Sequence, residues 1–193
     1  MKKVLLLAGI MAMFTNLQAQ SWQEFQKDHF DSYASGDYLG VVSDNFTTWS
    51  GTTGTSEDGI IIDSVATSSG ANCFLINSTS QDVVWDLGLN EKGAFEVQFK
   101  YMVGVGKGGY FNFQKEPTPG IEWGGEIYFG SDSTGYFTHA ALTEDIALTH
   151  TNGEWMTIYA IISLDTELAM LWIGDNPVIE YTFSLSSEVE MPD

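Results

Sequence analysis

The stretch Ala94-Phe95-Glu96-Val97-Gln98-Phe99-Lys100-Tyr101-Met102-Val103 decides the fold class. Phe95, Val97, Phe99 and Tyr101 fall on one side of an extended chain, and Glu96, Gln98 and Lys100 fall on the other. This period of two predicts an antiparallel strand with one face on a core and one in water. A slip by one residue would turn the whole apolar set outward, so the register is fixed as well.

Working outward, the same pattern recurs in Glu154-Trp155-Met156-Thr157-Ile158-Tyr159-Ala160-Ile161-Ile162. Shorter strands are predicted over Gly59 to Asp63, Asn72 to Asn77, Val83 to Leu87, Tyr110 to Gln114, Glu126 to Phe129, Gly135 to His139, Leu168 to Ile173 and Val178 to Phe183. Gly, Asn, Asp and Ser punctuate the intervals, and Gly174-Asp175-Asn176-Pro177 reads as a tight turn between two of the runs. About ten strands in this spacing predict an all-β, two-sheet antiparallel sandwich. A parallel sheet would require crossover helices, and the chain lacks long helical periodicity.

The first twenty residues stand apart from this pattern. Lys2 and Lys3 precede the apolar run Val4 to Phe14, and Ala19 supplies a small residue before Gln20. Such a run is too short for the roughly twenty residues of a membrane span, so residues 1–20 read as a cleavable signal peptide. Residues 21–193 read as one domain, secreted or held at the cell surface. The ending Glu188-Val189-Glu190-Met191-Pro192-Asp193 has no strand pattern, which leaves open a further strand, linker or domain beyond it.

Removing the signal takes away two lysines and no acids, so the formal net charge moves from −19 to −21, and no Arg occurs anywhere. A surface this acidic repels nucleic acid and anionic lipid. The 13 % aromatic content argues for a folded chain rather than an acidic disordered one. Cys73 is the single cysteine, so no internal disulfide forms, and its strand setting predicts a buried thiol packing as a small hydrophobe. Oligomeric state has no signature here.

Several segments together resemble the concanavalin A-like lectin/glucanase superfamily in its LamG-like form, as in exported proteins of Bacteroidetes-type bacteria. They are Phe30-Asp31-Ser32-Tyr33 with Gly36-Asp37-Tyr38-Leu39, Trp49-Ser50-Gly51 with Gly54-Thr55-Ser56-Glu57-Asp58, Gly106 to Gln114, Glu122 to Phe129, and the Trp155 to Val178 run. The resemblance implies a jelly roll of two curved sheets, one of them often presenting a ligand surface, and association with polysaccharide capture or adhesion. It also implies a C-terminal sorting domain in many relatives, of which this sequence carries no sign.

The hydrolytic branch of that superfamily sets Glu-x-Asp-x-x-Glu on one strand, whereas the nearest string here is Glu122-Trp123-Gly124-Gly125-Glu126, with no central Asp. Without paired carboxylates at glycosidase spacing, no catalytic residue is assigned. His29, His139 and His150 lack metal-ligand spacing, and Gly104 to Gly109 lacks the helix and the Gly-Lys-Ser/Thr ending of a phosphate loop. Asp28, Asp31, Glu57 and Asp58 are the candidate ligands of a structural calcium ion, against the alternative of a solvated acidic surface.

Aromatic rings cover the apolar faces of sugars while amides and carboxylates bond their hydroxyls. Trp49, Trp123, Tyr110 and Tyr38 lie in Gly-rich or polar surroundings, and Asn112 and Gln114 alternate with Tyr110, Phe111 and Phe113. These six are the candidate ligand contacts; Phe111, Phe113, Trp155 and Trp172 are assigned to the core. The expectation is a non-catalytic exported module that binds polysaccharide or a cell-surface glycan, with a structural spacer and a glycan-active hydrolase as alternatives.

Overall fold

The computed structural model describes residues 23–65, 70–115 and 118–183. The expected signal peptide and the residues after 183 lie outside that range.

The deciding stretch forms β5 (Ala94–Met102), whose Phe95, Val97, Phe99 and Tyr101 point inward. It pairs antiparallel along its whole length with β10 (Trp155–Ser163), so that Val97 faces Ala160 and Phe99 faces Ile158. β11 (Leu168–Ile173) and β12 (Ile179–Thr182) complete a sheet of order β12-β11-β10-β5. The four intervening strands make a second sheet as a meander: β6 (Gly109–Gln114), β7 (Trp123–Phe129), β8 (Thr134–Thr138) and β9 (Ile146–Thr149). Every pairing is antiparallel.

The two sheets share one core. Ile158, Leu171, Ile173 and Ile179 come from the first, and Phe113, Ile127, Phe129, Phe137 and Leu148 from the second. The chain is thus an all-β antiparallel sandwich, held by apolar burial between two inner faces at about 25 cal/mol per Å².

A smaller assembly precedes the sandwich. β1 (Phe46–Thr48) pairs with β4 (Val83–Trp85), and β2 (Ile60–Ile62) pairs with β3 (Cys73–Leu75). One helical turn, α1 (Leu39–Val42), packs with Phe46 and Ile61 in a second cluster that takes in Phe30 and Phe74. Trp85 belongs to both clusters and donates its indole N–H to Gln26 Oε1 at 2.8 Å, which couples the two cores. Cys73 is buried as expected, and burial pushes its thiol up.

Two assignments to the core need correction. Trp155 and Trp172 take the outward parity of their strands, opposite to Ile158 and Ile173, and Trp172 packs against Tyr159 with ring centroids 5.0 Å apart. Hydrophobicity alone placed them inside, but the strand's period of two overrides it. Phe111 and Phe113 do face the core.

Candidate functional site

The outer face of the meander sheet carries the polar and aromatic residues singled out from the sequence. On β6, Tyr110, Asn112 and Gln114 alternate with inward Phe111 and Phe113. On β7, a bulge changes the parity: Phe113 pairs with Gly125 and Gln114 with Trp123, leaving Gly124 as the extra residue. Residues that face each other across an antiparallel pair share a side of the sheet. Trp123, Glu126 and Tyr128 therefore stand on the same face as Gln114, Asn112 and Tyr110.

The bulge requires its glycines. A Cβ on Gly124 would lie 2.3 Å from the Phe183 ring, and Gly125 has φ +140 with a Cβ position 2.8 Å from Phe137. Small size and a conformation that favours glycine let the strand bend without losing the core contacts.

Two cross-strand rows result. Tyr110, Tyr128 and Tyr136 run across β6, β7 and β8, with ring centroids 4.7 Å apart at both steps. Tyr128 and Tyr136 are stacked at 20°, while Tyr110 and Tyr128 open to 46°. The middle ring is flanked on both sides, so the ring faces open to a ligand are those of Tyr110 and Tyr136, which are 42 % and 39 % exposed. Beside them run Asn112, Glu126 and Thr138.

These rows are joined by hydrogen bonds. The Gly120 N–H donates to Gln114 Oε1 at 3.0 Å, Gln114 Nε2 donates to Asn112 Oδ1 at 2.8 Å, and Asn112 Nδ2 donates to the Tyr110 hydroxyl at 2.8 Å. Tyr110 and Tyr128 then both donate to Glu126 Oε1, at 3.0 and 2.9 Å. Burial, reinforced by the Glu126 carboxylate, pushes the Tyr110 phenol up to about 12 and raises that of Tyr128 as well. Both phenols stay protonated at neutral pH, so they serve as donors rather than nucleophiles.

Trp49, 37 % exposed, lies over the β6–β7 loop, where a Cβ on Gly120 would come within 2.7 Å of its ring. It extends the track beyond Gln114. At the opposite end, Tyr128, Phe129, Gly130, Thr134, Gly135 and Tyr136 border an open hollow of about 270 Å³. Trp123 stands opposite Gln114, and its indole N–H is buried with no hydrogen-bond partner among the described residues. Tyr38 is not part of this face. It sits in the N-terminal assembly, bridged to Ile60.

The structure brings five of the six ligand candidates onto or beside one surface, and Glu126, Tyr128 and Tyr136, which the sequence analysis did not single out as ligand candidates, share that surface. The signal was present: Glu126 and Tyr128 alternate with core Ile127 and Phe129.

The four candidate calcium ligands hold separate loops. Asp28 accepts the Phe30 N–H at 2.8 Å and the hydroxyls of Tyr33 and Ser43. Asp31 accepts the N–H groups of Ala71 and Asn72, which hold its carboxyl below the usual range. Glu57 accepts the hydroxyl and N–H of Ser50, which lower it likewise. Asp58, fully buried, accepts Gly40 N–H and Gly54 N–H. Among the described residues no three His, Cys, Asp or Glu side chains stand together as a metal site.

No family model matches the chain, and neither a curated protein nor a solved structure matches it.

Proposed function

We propose that the chain is an exported, non-catalytic binding module of the concanavalin A-like jelly-roll type, acting outside the cell, and that the outer face of β6–β9 takes a glycan. The observation that carries this reading is the conjunction of exposed ring faces, Tyr110 and Tyr136, with an ordered amide and carboxylate network on one open sheet face. Ring faces pack on pyranose C–H groups while the network positions polar atoms for hydroxyls. The jelly-roll assignment is supported by the β5–β10 pairing, which closes one sheet around the excursion of four strands through the other.

A hydrolytic role has less support. Glu122 is held by Lys115 at 3.1 Å and Glu126 by two tyrosines, so the two acids have separate partners. The spacer reading draws on a specific feature, since stacked cross-strand tyrosines also stabilise a sheet by about 0.2–1 kcal/mol per pair.

A glycan-array screen with and without calcium, using the chain and its Tyr110→Ala, Tyr136→Ala and Trp49→Ala variants, tests the proposal. Binding that weakens in these variants while the fold persists supports it. Melting shifts with no glycan bound by the parent chain favour the spacer.

A further inference from the structure

We infer that Glu126 is the anchor of this face and selects uncharged, hydroxyl-rich glycan chains over anionic ones; the inference rests on the glycan-binding reading and specifies its ligand class. The argument begins with the direction of the hydrogen-bond chain. A backbone N–H only donates, so Gly120 fixes Gln114 Oε1 as acceptor and turns Gln114 Nε2 toward Asn112 Oδ1. Asn112 Nδ2 then donates to the Tyr110 oxygen, and the Tyr110 hydroxyl donates to Glu126. Every donor in the series points toward one carboxylate.

An ionised carboxylate is an acceptor with about four lone-pair sites. Oε1 receives both phenols, whereas Oε2 accepts no hydrogen bond from the described residues. Glu126 stands between Asn112 and Thr138 on a face open to solvent, so its remaining capacity is that of an acceptor. A sugar hydroxyl satisfies it. A uronate or sulfate would set lone pairs against lone pairs and charge against charge.

Among the described residues nothing on the face offsets that repulsion. The outward positions of β6 to β9 carry no Lys, the chain has no Arg, and Lys115 at the end of β6 is already engaged with Glu122. From Tyr110 to Gln114 the track runs roughly 14 Å at about 3.4 Å per residue, and Trp49 lengthens it over Gly120. That length fits an extended oligosaccharide rather than one sugar.

The test is affinity electrophoresis of the chain in gels containing lichenan, mannan or dextran as neutral probes and polygalacturonate, alginate or heparin as anionic ones. The expected result is retardation by at least one neutral polymer and by none of the anionic ones at low salt. Glu126→Gln, checked by circular dichroism for an intact fold, should bind the neutral polymer about tenfold more weakly and narrow the gap to the anionic polymers. In the parent chain, 1 M NaCl should relax the exclusion of anions, because a Debye length of about 3 Å screens it; this arm needs no variant. Retardation by anionic polymers equal to that by neutral ones, or selectivity unchanged in Glu126→Gln, overturns the inference and leaves glycan binding standing. Retardation by none of the six overturns both.

Discussion

Asp58 offers the sharpest test of how the N-terminal assembly is held. The side chain is fully buried, yet Oδ1 accepts the Gly40 N–H at 3.0 Å and Oδ2 accepts the Gly54 N–H at 2.9 Å. Its carbonyl also takes the Gln81 amide at 2.7 Å. One residue thereby ties α1, the loop before β2 and the segment leading into β4. Asp58→Ala removes two hydrogen bonds to a charged group, worth about 1.5–3 kcal/mol each, and leaves two N–H groups without that acceptor. Allowing for partial rehydration of the donors, the expected loss is about 3–5 kcal/mol. At roughly 2–4 °C per kcal/mol for a domain of this size, the midpoint should fall by about 10 °C. Asp58→Asn keeps one acceptor and turns an amide N–H₂ toward the other donor, so it should lie between the parent and Asp58→Ala. Thermal melting followed by tryptophan fluorescence reads this, since Trp49 directly follows β1 and Trp85 ends β4. A drop under about 2 °C for Asp58→Ala would refute the reasoning, because water would then be replacing the carboxylate at no cost.

The other expectations can be checked in the same preparations. Gly135→Ala places a Cβ 2.4 Å from the Tyr128 carbonyl oxygen, and backbone cannot yield as a side chain does; a loss of about 2–3 kcal/mol in denaturant melts is expected, together with disturbance of the Tyr128–Tyr136 stack. Burial holds the His139 imidazole below its ordinary value, so the folded chain resists a proton that the unfolded chain takes up; stability should be full above about pH 6.5 and fall as the pH drops from there. His139→Asn can still accept the Ala141 N–H, and its melting midpoint should vary less between about pH 6.5 and 5.5 than that of the parent. Because Asp28, Asp31, Glu57 and Asp58 each already accept protein donors, melting in EDTA and in millimolar calcium should give one midpoint; a rise with calcium and not with magnesium would show that these loops rearrange around an ion. No release of reducing ends from laminarin or lichenan is expected, and turnover abolished in Glu122→Gln or Glu126→Gln would reverse the non-catalytic reading.

The limits of legibility follow from where the information resides. β5 was legible because a nine-residue strand of strict alternation carries its register within itself, whereas β10, equally long, was legible as a strand but carries apolar Trp155, Tyr159 and Ile161 on the parity opposite to Ile158, Ala160 and Ile162, which hid the side Trp155 faces. β1 and β9 were not: Phe46-Thr47-Thr48 and Ile146-Ala147-Leu148-Thr149 are too short to show a period and, unlike the equally short β2 and β4 with Ile60-Ile61-Ile62 and Val83-Val84-Trp85, are not unbroken runs of large apolar residues. The four acids were grouped because they lie in two loop regions close in sequence, yet each finds its own backbone donors. Some of these donors are local, as for Asp28 with Phe30 and Asp58 with Gly54, but Asp31 reaches Ala71 and Asn72 and Asp58 reaches Gly40, pairings that only the folded chain reveals.

The tyrosine row shows the same division at the site itself. Tyr110, Tyr128 and Tyr136 are spread over 27 positions of the chain, and nothing local to any of them signals the others. Two features bring them together. The β7–β8 hairpin opposes Phe129 to Gly135, which carries Tyr128 onto Tyr136 one pair further along. The Gly124 bulge resets β7 against β6, so that Trp123 and Glu126, three apart, both reach the outer face, which strict alternation forbids. Without the bulge, continuing the pairing back from Glu126 would set Gly124 opposite Gln114 and turn Trp123 toward the inner side. Gly124 and Gly125, which stand between Glu122 and Glu126 in the place of any central Asp, are therefore what lets one strand present an indole, a carboxylate and a phenol to the same face.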